Sequence, residues 1–158
     1  MDRFLPTIIL RHRKENLKKC SLRGLESRED MQFFTYPKDP LPSLQGYFLL
    51  ALDAPILSEA DRDMGIFLID GTWKYAEVMG RQVPPMERRS LPPGLKTSYP
   101  RKQTGCSNPD EGLASVEALY AAYCLTGRDP TGLLDGYFWK DQFLQVNTPL
   151  LFQKLFIN

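Results

Sequence analysis

A carboxylate that closes a hydrophobic run, followed by a glycine, a hydroxyl and an indole, is a set of residues able to hold a ligand. Gly65-Ile66-Phe67-Leu68-Ile69-Asp70 has the pattern of a central strand, and Gly71-Thr72-Trp73 follows at once. In open α/β sheets ligands bind beyond the carboxyl ends of the strands, the place this turn would occupy. There Gly71 lets backbone approach a ligand closely, Thr72 can cap a following helix, and Trp73 offers a flat apolar wall. Asp70 is the candidate catalytic residue, either as a general base or as an acceptor that orients a substrate. Its place before a helix N-terminus, where anions are stabilised, favours orientation. The same residues also suit a plain packing role.

Other chemistries are poorly supplied. The chain has one histidine, His12, and three scattered cysteines, Cys20, Cys106 and Cys124, with no Cys-x-x-Cys pair. A histidine-based triad, a two-histidine metal centre, a zinc knot and a disulfide framework are therefore not expected, and no metal is. His12 reads as a surface or RNA-facing residue.

The elements that would position Asp70 alternate. Residues 7–10, 31–36, 46–52 and 65–70 are short apolar runs suited to strands buried on both faces, and 88–91 has room for a brief strand among the prolines of 83–100. Residues 72–82 read as a helix. So do 58–64, with Ser58 as N-cap and Asp61 three positions on, and 113–126, with Val116, Leu119, Tyr120, Tyr123 and Cys124 in one stripe and Gly127 as C-terminal cap. The tail reads as two helical pieces, 138–146 and 149–156, with Thr148 capping a second helix that begins at Pro149. Strands alternating with helices give the α/β class.

At 158 residues and 42% hydrophobic content the chain supports one core, so residues 1–158 are read as a single domain. No apolar run approaches the ~20 residues that cross a bilayer, and the N-terminal pattern is not that of a signal peptide, which points to the cytoplasm. Net charge is only +1, but residues 1–23 and 81–102 each carry +5, leaving the rest at −9. Two basic segments on an acidic body form either a polyanion-binding face or two separately solvated loops.

The block Leu68-Ile69-Asp70-Gly71-Thr72-Trp73 resembles the signature of the DTW-domain superfamily of aminocarboxypropyltransferases, Asp-x-[Ser/Thr]-Trp after a hydrophobic strand. Leu113-Ala114-Ser115-Val116-Glu117-Ala118 is similar to a second block of that group, Leu-Ser-x-x-Glu-Ala at a helix start. Lys18-Lys19-Cys20-Ser21, Leu57-Ser58-Glu59-Ala60-Asp61-Arg62 and the stretch from Trp139 to Asn147 resemble segments of the ribosomal RNA branch. Gly71-Thr72 replaces that branch's Cys-Ser. Lys96-Thr97-Ser98-Tyr99-Pro100-Arg101-Lys102 resembles instead the Ser-x-Tyr-x-x-Arg loop of the transfer RNA branch.

The resemblance implies a SPOUT-like α/β sheet with flanking helices and a C-terminal trefoil knot. Residues 1–64 would be its N-terminal part and 65–158 its cofactor-binding part. It implies S-adenosylmethionine as cofactor and transfer of its 3-amino-3-carboxypropyl group to N3 of a uridine in structured RNA, ribosomal RNA favoured over transfer RNA. By the same likeness Ser21, Ile69, Trp73, Ala76, Leu91, Tyr99, Leu113 and Ser115 line the cofactor pocket. Trp73 and Ala76, one helical turn apart, would pack around the methyl group and leave the γ-carbon open to attack. Glu117 is an alternative base or a buried acceptor. The RNA contacts expected are Arg11, Arg13, Lys14, Lys18, Lys19, Arg88, Arg89, Arg101 and Lys102, with Arg101 meeting either the cofactor carboxylate or a phosphate. The rival functions are a SPOUT-type methyltransferase and a non-catalytic RNA-binding or ribosome-assembly protein. Oligomeric state is open.

Overall fold

The computed structural model describes residues 4–14, 21–70, 73–99 and 113–156. Strands form where the short apolar runs lie: β1 (Thr7–His12), β2 (Met31–Tyr36), β3 (Tyr47–Leu50), β4 (Gly65–Asp70) and β5 (Glu87–Arg89). They make one sheet in the order β2-β1-β4-β3-β5, every neighbouring pair parallel. The α/β class expected from the pattern is the class observed. Strands from 1–64 and 65–158 interleave, β4 lying between β1 and β3.

The period-2 alternation of strand side chains divides the core between the two faces. Ile9, Phe48, Ile66 and Leu68 point to one face, where α2 (Ser115–Thr126) and α3 (Lys140–Phe156) supply Val116, Leu119, Phe143 and Leu151. Ile8, Leu10, Leu49 and Phe67 point to the other, covered by Met79 and Tyr75 of α1 (Trp73–Gly80). Each fully buried Ile, Leu or Phe contributes about 1.5–3 kcal/mol of transfer free energy. This two-sided burial is why β1 and β4 read as unbroken apolar runs.

Three helices differ from expectation. Residues 58–64 supply only a 3-10 turn, Glu59–Asp61, although its start is as read: the Ser58 hydroxyl accepts the Ala60 N–H and the Asp61 carboxylate accepts the Ser58 N–H. Helix α2 is buried well beyond one stripe, since Glu117, Ala121, Ala122, Leu125 and Thr126 are enclosed as well. It packs on the sheet with one side and on α3 with another. Gly127 ends it at φ 76°, the left-handed cap its position required.

The tail is one helix, with Pro149 inside it, where two were expected. Proline removes an N–H and crowds the carbonyl four residues back. Here both Pro149 and Gln145 are exposed, so the freed carbonyl faces solvent. Asn147, expected in the break, is instead buried, and its amide donates to Phe143 O (2.9 Å) and Lys96 O (2.8 Å) while accepting from Lys96 N (2.7 Å). The trefoil knot depends on the path of residues 100–112, which lies outside the described residues. Among the described residues no helix is long and apolar enough to cross a membrane.

At the amino edge, Gly65 opens β4 beneath the ring of Tyr47, whose hydroxyl donates to Pro6 O (2.7 Å). A Cβ at Gly65 would overlap that ring. Because Tyr47 is buried and tethered, Gly65→Ala is expected to lower stability by about 1–3 kcal/mol, measured as a shift of the urea midpoint at constant m.

Candidate functional site

The carboxyl edge of the sheet carries Asp70 at the end of β4 and Arg11 opposite it in register on β1. Parity along the strands turns both side chains to the α2 face. Asp70 is buried; its Oδ2 accepts from Arg11 Nε (3.2 Å) and its Oδ1 from the Ser115 hydroxyl (2.8 Å). Arg11 is also buried, with its guanidinium carbon 4.7 Å from the centroid of Phe33 and Nη1 on Glu26 Oε2 (3.0 Å). Burial pushes the Glu26 carboxyl up, but hydrogen bonds from its own backbone N–H, from Arg11 and from Gly24 outweigh it and hold the group below its ordinary range. The result is a chain of charges, Glu26, Arg11 and Asp70, ending on the first residue of α2.

The start of α2 is tied down from several directions. Ser21 Oγ accepts the Val116 N–H at 3.2 Å, a helix cap supplied from 95 residues away. Glu117 is fully buried. Its Oε1 accepts from Ala114 N (2.7 Å) and the Thr97 hydroxyl (2.6 Å), and its Oε2 from Ser98 N (2.8 Å) and the Tyr137 hydroxyl (2.9 Å). Four neutral donors thus satisfy the carboxylate, two of them, Thr97 and Ser98, holding the loop to the helix. Tyr99 follows on that loop, stacked with Tyr137 at 6.5 Å and 5°. Glu117 is a buried acceptor whose two oxygens are both committed.

Of the residues expected to line a cofactor pocket, Ser21 and Ser115 meet at the N-terminus of α2, and Leu91, Tyr99 and Leu113 pack on the same face. Ile69 does not join them: it points to the α1 face. Ala76 is half-buried on α1, and Trp73 opens that helix. Among the residues expected to meet RNA, Arg13 and Lys14 are exposed just past β1, and Arg88 is exposed on the edge strand β5. Arg89 is engaged by Asp61 and Glu87, each at 3.1 Å, and Arg11 is turned inward as described. Lys18, Lys19, Arg101 and Lys102 lie outside the described residues.

His12 is not the surface residue expected. It is buried, stacked on Tyr75 at 4.0 Å and 10° and tilted against Tyr36 at 5.4 Å, because the next position after Arg11 faces the opposite side of the sheet. Desolvation, with the charges of Arg13 and Lys14, pushes its pKa down. Glu26, Tyr36 and Tyr75 were not anticipated. One signal was available: an arginine continuing the all-apolar run Ile8-Ile9-Leu10 needs a carboxylate partner inside. Among the described residues no group of three His, Cys, Asp or Glu is placed to hold a metal. A cavity of about 280 Å³ between Tyr120, Gly132, Asp135 and Lys140 shares no residue with this cluster.

A parallel five-stranded sheet with helices on both faces and a polar cluster at its carboxyl edge defines an open α/β protein, a class whose ligands bind at the strand ends. Among solved structures, the SAM-dependent rRNA:acp-transferase Tsr3 from Vulcanisaeta distributa has a similar fold. The TM-score is 0.69, the match covers 95% of this chain and 83% of that one, and the identity is 22%. No protein-family profile and no curated protein matches the sequence.

The Arg11–Asp70 pair is buried at both ends, so removing one partner strands the other charge. Arg11→Ala is expected to cost about 3–5 kcal/mol in chemical unfolding. Asp70→Asn together with Arg11→Met should restore part of that loss, which a double-mutant cycle would read as strong coupling.

Proposed function

We propose that the protein is an RNA aminocarboxypropyltransferase that uses S-adenosylmethionine, with ribosomal RNA favoured over transfer RNA and N3 of a uridine as the acceptor. The observation that carries this reading is the fold shared with Tsr3 along nearly the whole chain. The blocks around Asp70 and Ser115, which carry the sequence resemblance, meet in space through a 2.8 Å hydrogen bond. The knotted path belongs to the same proposal.

The residues at the carboxyl edge fit the cofactor's groups. Its carboxylate would suit the N-terminus of α2 and the Ser21 hydroxyl, which accepts the Val116 N–H and keeps its own proton to donate, while the Ser115 hydroxyl is held by Asp70. When bound, the cofactor supplies a sulfonium whose three attached carbons are all open to nucleophiles. By the family resemblance, Trp73 and Ala76 of α1 would cover the methyl carbon and leave the aminocarboxypropyl chain to react, a matter of positioning that can account for much of the rate. Asp70, fixed through both oxygens, would orient the uracil N3–H and is the candidate base for the proton that N3 gives up as it bonds to the γ-carbon and the bond from that carbon to the sulfur of methylthioadenosine breaks. Tyr99, held through the Glu117 network, forms a wall of the same pocket.

RNA approaches along the carboxyl edge. Arg13 and Lys14 follow β1, while Arg88 lies on β5 three strand spacings away, about 14 Å across the sheet, and in register with Ile8, five residues before Arg13. An RNA segment that spans both would meet Arg13 and Lys14 at one end and Arg88 at the other, within the segments 1–23 and 81–102 that each carry +5.

Incubation with ribosomal or transfer RNA and cofactor labelled in the methyl or in the carboxypropyl carbons tests the reaction. Carboxypropyl label is expected in ribosomal RNA. Methyl label would replace the reading by a methyltransferase, and cofactor-independent RNA binding without transfer would leave a binding protein. Trp73→Ala is expected to weaken S-adenosylmethionine binding about tenfold or more in calorimetry, as for a cation losing an indole face. Unchanged affinity would mean the pocket lies elsewhere.

A further inference from the structure

On the sheet face opposite Asp70, the carboxyl ends of β1 and β2 and the first turn of α1 bring His12, Tyr36 and Tyr75 together. The hydrogen bonds of this cluster fix which atoms donate. His12 Nδ1 accepts the Lys14 backbone N–H at 3.1 Å, so a neutral ring carries its proton on Nε2. The ring is held neutral near pH 7 by burial and by the charges of Arg13 and Lys14. Tyr36 Oη accepts from Gln82 Nε2 at 2.9 Å, leaving its own O–H to donate.

Among the described residues, His12 Nε2–H, the Tyr36 O–H and the Tyr75 O–H have no acceptor. Among the described side chains only Arg128 Nε is both closed off from solvent and without a partner, so these three donors are open to an incoming acceptor. The carboxylates nearest in sequence are occupied: Asp39 accepts the Thr35 N–H (2.9 Å), and Glu77 pairs with Arg81 (3.2 Å). The cluster therefore presents donors and no committed acceptor, next to the exposed cations Arg13 and Lys14. The dipole of α1, whose first turn contains Tyr75, adds positive potential on the same side.

We propose that His12, Tyr36 and Tyr75 form a phosphate subsite, taking one RNA phosphodiester at the same carboxyl edge as the Asp70 cluster but on the other face of the sheet, and so setting the register of the strand whose base is modified. A phosphate offers acceptors only, which matches a group of neutral donors flanked by cations. The site works by hydrogen bonding at its centre and by charge at its rim. These two contributions separate in salt, because only cations release counterions. The subsite deepens the proposed function and rests on RNA being the substrate.

The test uses the full chain, unmodified small-subunit ribosomal RNA and inorganic phosphate as competitor. His12→Phe, Tyr36→Phe and Tyr75→Phe keep each ring and remove one donor. Each is expected to weaken RNA binding about three- to tenfold with an unchanged slope of log K against log salt. Arg13→Ala should lower that slope by about 0.7–0.9. Cofactor affinity, measured on every variant, should stay at the wild-type value and confirms that the variant is folded. If the His12 variant loses it, Tyr36→Phe and Tyr75→Phe carry the test.

RNA affinity unchanged in the tyrosine variants would overturn the subsite, as would wild-type protein that binds no RNA. So would variants that lose inorganic phosphate competition but keep RNA affinity. Transfer of carboxypropyl label by the wild type is followed in the same samples. Failure of transfer with donor-dependent RNA binding intact removes the proposed reaction and leaves the subsite standing.

Discussion

The contact on which the rest depends is the buried ion pair between Arg11 and Asp70. Two charges have left water, which costs several kcal/mol per ion, and the cost is offset only because each has further partners. For Arg11 these are Glu26 and the face of Phe33; for Asp70, the Ser115 hydroxyl. The pair joins adjacent strands at the carboxyl edge of the sheet and, through Ser115, ties down the start of α2. An apolar pair of equal volume would pack as well but would make no such tie.

Glu117 does the complementary task without a cation. It gathers a loop, a helix start and a tyrosine by neutral hydrogen bonds, leaving no lone charge for a ligand to answer. Arg11–Asp70 thus anchors the sheet side of the cluster and Glu117 the loop side, with the start of α2 between them. Rigid support of this kind is what a site needs if it must choose among chemically similar carbons, since small misplacements are expensive in rate.

Much of the frame was legible because it is local. Strands buried on both faces announce themselves as apolar runs, and the capping of Glu59–Asp61 and the end of α2 at Gly127 follow from residues within a few positions. What escaped depends on distance. Nothing near Ser21 shows that it caps a helix 95 residues on, and the run Arg11-His12-Arg13-Lys14 looks like one basic surface until strand parity sends its first two members to opposite faces of the core. Pro149 misled because the rule it breaks has an exception where the orphaned carbonyl meets solvent. The residues of the site came from motif resemblance more than from periodicity, which alone reaches a strand, a turn and an acid.

The same long separations govern how the chain reaches this state. The contacts of the cluster span 45, 59 and 95 residues, and two of them wait for α2, which is made after most of the chain. Until β4 arrives, β1 presents an unpaired edge next to Ile8, Ile9 and Leu10, a segment prone to associate with other chains. The four cationic or ionisable residues that end that segment repel a second copy of it and act as gatekeepers for a nascent strand. Arg11 therefore serves twice: it keeps an unfinished chain apart from its neighbours, and once Asp70 reaches it, it becomes part of the interior.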